Sequence, residues 1–303
     1  TSARAVACAE RFGGQAFGAC TVPQGGFVNI LAGQTVTCDG VSSGLNLAST
    51  NNDVQVVVNS GELATSTVDL AGTGSQFAVL SGADATDVIV SVRGTTGSIV
   101  FYGNTNSSYV AGNVALGAVG AATTGSINVQ GNVSAIGVTP GAFLLRGEDG
   151  SQSVNVQGQL TNATGLFIGT GAGDDYINIY DTARLVGGSS TRLIDGGSGF
   201  DTLTFVPFTG AATQLNVSTT GVESLLVDGN LTLSGTHQFD QVQVSSRLGV
   251  GAIESLGNSS GQITLQSGSV LSIDLNSNNS SAQTALSQRL FGSGSLEFTG
   301  IRK

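Results

Sequence analysis

Methionine and tryptophan are absent from this chain, lysine occurs once (Lys303), histidine once (His237) and proline three times. Charged residues make up only 10% of it, which withholds the Glu, Lys and Arg from which long helices are built. No run of 18 apolar residues exists, so no segment is suited to cross a membrane as a helix. The nine arginines are scattered through a chain of net charge -10, which excludes a phosphate-tracking surface and hence a nucleic-acid partner, and disfavours anionic membranes. What remains is abundant: 46 glycines set among Ser, Thr, Asn, Val and Leu. β-Branched residues punctuated by Gly and Asn favour strands and turns, so the fold class is all-β. At 303 residues and 40% hydrophobic, the chain has the means to bury a large core.

The chain opens on TSARAVACAE, which reads as a mature end left after removal of a signal peptide and leads us to expect export. Cys8, Cys20 and Cys38 all lie within the first 38 residues. In an exported chain one pair is expected to oxidise; Cys20 with Cys38 would tie neighbouring turns of a coil, and Cys8 with Cys20 is the rival pairing. Metal ligation would need a fourth ligand, and no histidine lies nearby.

Internal repetition carries the architecture. SINVQGNV at Ser126 returns as SVNVQGQL at Ser153, and the same two-residue alternation extends both ways. It gives an apolar ladder of Val54, Phe77, Ile99, Ile127, Val154, Ile177, Leu203, Leu225, Leu248, Leu271 and Leu296, each with an apolar partner two residues on. Short alternating strands repeating every 22 to 28 residues, with Gly and Asn at the corners, predict a parallel β-solenoid whose turns bury their inward side chains only by stacking. About a dozen turns at a strand spacing of about 4.8 Å would make a rod of about 55 Å. Residues 1–40 are expected to form an N-terminal cap holding the cysteines, and residues 41–303 the coil. A bulging loop is expected between Phe101 and Gly125, where Tyr102, Asn104, Asn106 and Tyr109 form a candidate ligand-binding loop.

Two segments fit the glycine-rich calcium-binding nonapeptide: TGAGDDYIN, with Asp175, and GGSGFDTLT, with Asp201. They lie one ladder step apart, so the two aspartates would stack on adjacent turns, with Asp174 and Asp195 near in sequence. Calcium wants 6 to 8 oxygens, which two matches without a tandem array do not supply. The competing reading is that each Asp caps a turn by accepting backbone N–H bonds. Catalysis finds less support. GVSSG (Gly40–Gly44) and GNSSG (Gly257–Gly261) match GxSxG without a strand-to-helix elbow, and His237 reads as an exposed corner residue. Arg146, Glu148 and Asp149 in RGEDGS could serve a glycan-cleaving surface, or be a hydrophilic turn.

The phrases FDTLTF, GVESLLVDGNLTLSG, GQITLQSGSVLSIDL and GSGSLEFTG, with GQTVTCDG near the start, resemble the passenger domains of bacterial autotransporters, the type V secreted proteins. The resemblance runs from about Cys20 to Gly300 and rests on degenerate turn and strand phrases, specific for architecture and weak for activity. It implies a right-handed parallel β-helix carried to the bacterial cell surface, after passage through the periplasm, by a separate C-terminal β-barrel that this sequence does not contain. The expected role is adhesion without enzymatic activity, with no cofactor unless calcium binds. The expected partner is a copy of itself on a neighbouring cell, or a host or surface glycan or protein. A glycan-active β-helix enzyme and a calcium-dependent surface-layer component are the alternatives.

Overall fold

The computed structural model describes residues 20–21, 26–107, 114–116, 124–135, 143–187, 192–251, 256, 260–274 and 289–300. Among them every regular element is a short strand, and the paired strands of the four sheets run parallel. The chain circulates through three sheets in turn. Leu45–Ser49 lies in a nine-stranded sheet, Gln55–Val58 in a twelve-stranded one and Gly61–Ala64 in a seven-stranded one, and Thr67–Leu70 then returns to pair with Leu45–Ser49. The result is a parallel β-helix, in which one turn's edge is covered by the next. At about 4.8 Å per rung the twelve-stranded sheet runs for about 50 Å.

Alternation decides which side chains enter the coil. In strands such as Gln152–Val156 and Thr35–Cys38 the buried positions recur every second residue, as the pleat requires. Val56, Phe77, Ile99, Ile127, Val154, Ile177, Leu203 and Leu225 align rung on rung and are buried. Phe77 and Phe101 meet edge to face inside, with centroids 6.1 Å apart. Each fully buried aliphatic or aromatic side chain contributes about 1.5–3 kcal/mol of transfer free energy.

The expected ladder matches this register from Phe77 to Leu225 and departs from it at both ends. Val56, not Val54, pairs with Phe77; both valines are buried, so the alternation alone does not separate them. Beyond Leu225 the same sheet continues through Val242, Ile263 and Leu290, whereas Leu248, Leu271 and Leu296 stack in a separate five-stranded sheet. The cause is a change of cross-section. The nine-stranded sheet ends at Ser218–Thr220, and from there each turn contributes two strands instead of three among the described residues. A turn shortened in this way brings Val242 beneath Leu225 after 17 residues, so a 23-residue step lands on the next wall.

The coil is under way within the first forty residues: Gly26–Asn29 and Thr35–Cys38 are the first rungs of the nine- and twelve-stranded sheets. Cys20 bridges antiparallel to Cys38 and is joined to it by a disulfide across a sequence separation of 18. Cys8 lies outside the described residues.

Candidate functional site

Three glycine-rich corners stack where the chain enters the twelve-stranded sheet. Asp149, Ala172 and Ser198 bridge in parallel from one corner to the next, and the following strands continue that alignment. Gln152, Asp175, Asp201 and Glu223 therefore occupy one column on four successive turns, and they are linked by one repeated contact. Asp175 Oδ1 accepts from the Gln152 N–H at 2.6 Å, Asp201 Oδ1 from the Asp175 N–H at 2.8 Å, and Glu223 Oε2 from the Asp201 N–H at 2.8 Å. Each acid thus latches its turn to the preceding one. The corner requires glycine at Gly199, where φ is 139° and a Cβ would overlap the Gly173 carbonyl.

Gln152, Asp175 and Asp201 are buried, and Gln152 Oε1, Asp175 Oδ2 and Asp201 Oδ2 have no hydrogen-bond partner. Burial lifts the Asp175 carboxyl to about 6 against the opposing pull of the Gln152 N–H. It lifts Asp201 to about 7, where the Asp175 N–H lowers the value and the charges of Asp175, Glu223 and Asp174 raise it further. Asp174 and Asp195 are committed to similar capping: Asp174 Oδ1 accepts from the Phe200 N–H at 2.8 Å and Asp195 Oδ1 from the Gly197 N–H at 3.1 Å. Among the described residues no three His, Cys, Asp or Glu side chains gather as a metal cluster. Of the two readings of the nonapeptide matches, turn capping is the one whose hydrogen bonds are present.

The second feature is the outer face of the twelve-stranded sheet. None of its twelve strands contains an Asp, Glu, Lys, Arg or His. Charges are carried by strands of the other three sheets, for example Glu62, Asp69, Arg146, Arg184 and Arg247. At the middle of the uncharged face three asparagines form a side-chain ladder. Asn155 Nδ2 donates to Asn128 Oδ1 at 2.9 Å and Asn178 Nδ2 to Asn155 Oδ1 at 2.8 Å. Ser126 and Ser153 accept from the Asn128 and Asn155 amides, which orders the row further.

The remaining candidate residues lie apart from both features or play different parts. Tyr102 is exposed, as a loop residue should be, but Asn104 and Asn106 sit in the strand Asn104–Ser107, a rung of the seven-stranded sheet. The stretch expected to bulge therefore continues the coil at Asn104–Ser107 and Val114–Leu116; Tyr109 lies outside the described residues. His237 is not an exposed corner. It is buried, stacks on Phe239 at 5.1 Å and places Nδ1 3.1 Å from Thr219 Oγ1, because His237 and Phe239 share the inward parity. Burial lowers its pKa to about 4. Ser42 of GVSSG is likewise internal, its hydroxyl accepting from the Cys20 N–H. Arg146 is spent on an ion pair with Glu148 at 2.9 Å.

Sequence reading missed Gln152 and Glu223 as members of the acid column, although both fall on the 22- to 28-residue step that joins Asp175 to Asp201. No protein-family model matches the chain, and no curated protein or solved structure is significantly similar to it.

Proposed function

We propose that this chain is an autotransporter-like surface passenger that acts as an adhesin by self-association between copies displayed on neighbouring cells. The observation that carries the reading is the uncharged outer face of the twelve-stranded sheet. Two molecules of net charge -10 repel one another, and the approach that costs least electrostatically brings together the faces without charge. A face about 50 Å long and roughly five residues wide offers on the order of 800 Å² per partner, the size of a standard specific interface. Its Ser, Thr, Asn and Gln side chains supply many weak hydrogen bonds, each contributing about 1 kcal/mol net. Affinity then comes from repetition along the rod.

The test is the settling of bacteria that display the chain, with and without the purified fragment as competitor. Clumping that the soluble fragment abolishes is the expected result. Clumping that is absent, while the displayed cells bind a glycan or protein surface, would replace self-association with recognition of a foreign ligand.

A further inference from the structure

The acid column contains three buried acceptors and no free donor. Gln152 cannot remedy this by turning its amide, because its NH₂ already donates to the carbonyls of Glu148, Asp149 and Gly150 at 2.9, 3.2 and 3.1 Å. The Thr170 hydroxyl is shared: it donates to the Gly196 carbonyl at 2.8 Å and also lies in hydrogen-bonding reach of Asp175, whose carboxyl it pulls down, so its single hydrogen serves two acceptors. The backbone N–H groups of Gln152 and Asp175 are engaged by the opposite carboxylate oxygens. The charged groups that act on the pair are Asp174 and Glu223, both acidic, and among the described residues neither Asp175 nor Asp201 has an ion-pair partner. On the neighbouring corners, Glu148 faces Arg146 and Asp195 caps Gly197. A place for a donor is present beside Asp201. A Cβ at Gly196 would lie 2.7 Å from Asp201 Oδ2 and would overlap the Gly221 carbonyl, so both oxygens border the space that glycine leaves. Buried acceptors crowded together without donors are costly unless something supplies a hydrogen.

We infer that this corner is a proton-binding site: Asp201, and at lower pH Asp175 with it, holds a proton on its unpartnered oxygen and donates it to an acceptor bordering the column, so that acid strengthens this joint of the coil. The step is a plain protonation. A solvent proton adds to Oδ2, the carboxyl becomes neutral, and its O–H replaces the missing donor. The values of about 7 and about 6, both caused first by burial, agree with this assignment. The sign follows from linkage. Both folded values lie above the ordinary 3.8, so the folded state binds protons that the unfolded state does not, and stability rises as pH falls through 7 and then 6. His237 titrates in the opposite sense between 6.5 and about 4, which leaves the interval from about pH 8 down to 6.5 as the window in which the column is read alone.

Thermal unfolding across that window, in chelator and separately in calcium, tests the assignment on wild type, Asp201→Asn and Asp175→Asn. Asparagine keeps the oxygen that accepts the N–H and adds the missing donor, so it imitates the protonated acid. The wild-type midpoint should rise by about 1–2 °C from about pH 8 to 6.5 in chelator. Asp201→Asn should melt at about pH 8 where wild type melts at 6.5, and should lose the pH dependence. A flat wild-type profile, or an Asp201→Asn variant that melts lower at pH 8, would overturn the proposal. Stabilisation of wild type by calcium at pH 8 that Asp201→Asn removes would also overturn it, in favour of a cation in the same place. If the variants do not fold, the carbon-13 carboxyl shifts of wild type decide: a carboxyl titrating near 7 sustains the proposal, and none above 5 sinks it.

Discussion

Single residues in this coil matter through the column they stand in. His237 is enclosed, stacked on Phe239 and left with Nε2 unpartnered, so its neutral form is the one the fold accepts. Its folded value of about 4 lies below the ordinary 6.5, so the stability it contributes is present above 6.5 and is lost as pH falls through about 4. The loss is on the order of 3 kcal/mol at its limit. His237→Phe, which preserves an aromatic stack, is expected to gain in urea midpoint relative to wild type as pH is lowered from 6.5 to 4; parallel profiles would show that the ring titrates normally. At Gly199 the objection to any other residue is geometric, since φ is 139° and the Gly173 carbonyl occupies the space of a Cβ. Gly199→Ala should cost at least about 2 kcal/mol in urea unfolding, because the corner must either open or shift its stacking.

At the scale of the element, each rung relies on its two neighbours, so damage stays local. Cys20 and Cys38 close a loop of 18 residues at the first rungs, worth about 3 kcal/mol of chain entropy. Replacing both with serine should strip hydrogen-exchange protection from Gly26–Asn29 and Thr35–Cys38 while leaving Thr124–Val129 as it was; uniform loss along the coil would mean that the rungs are coupled more tightly than a stack allows. Strand positions were legible in the sequence because inward residues must be apolar and must recur, as Ile127 and Val154 do within NVQG. The change of cross-section was not legible: Leu248 and Leu271 satisfy the same alternation, and nothing in a two-residue pattern tells one wall of the coil from another. The inward histidine was hidden for a related reason, since a polar residue in a glycine-rich stretch reads as a corner until its parity with Phe239 is known. Asp175 and Asp201 were found by motif. The aspartates' latching of adjacent turns depends on register, which only the stacked strands reveal.

Over the whole molecule the distribution of charge is uneven although its total is simply negative: one long wall carries none in its strands, and the other sheets share it. If that wall is the contact face, screening should help association by weakening the general repulsion. The purified fragment should therefore associate more strongly at 200 mM salt than at 20 mM in sedimentation equilibrium, where an interface built of ion pairs would weaken. Asn155→Glu, placed at the centre of the asparagine ladder, should abolish association and clumping while the melting temperature falls by only a few degrees. Retained clumping in that variant would move the contact to another wall.

If the rod links two cells as proposed, the narrowing of the coil among the described residues after Ser218–Thr220 has a mechanical meaning. Tension along the axis pulls rungs apart in the direction of their hydrogen bonds, so a rung yields by peeling and resists in proportion to the number of strands it presents. The rungs from Ser224 to Val250, where two strands make a turn, are then the weaker ones, and a rod loaded from its ends would open there before the three-stranded stretch that carries the asparagine ladder.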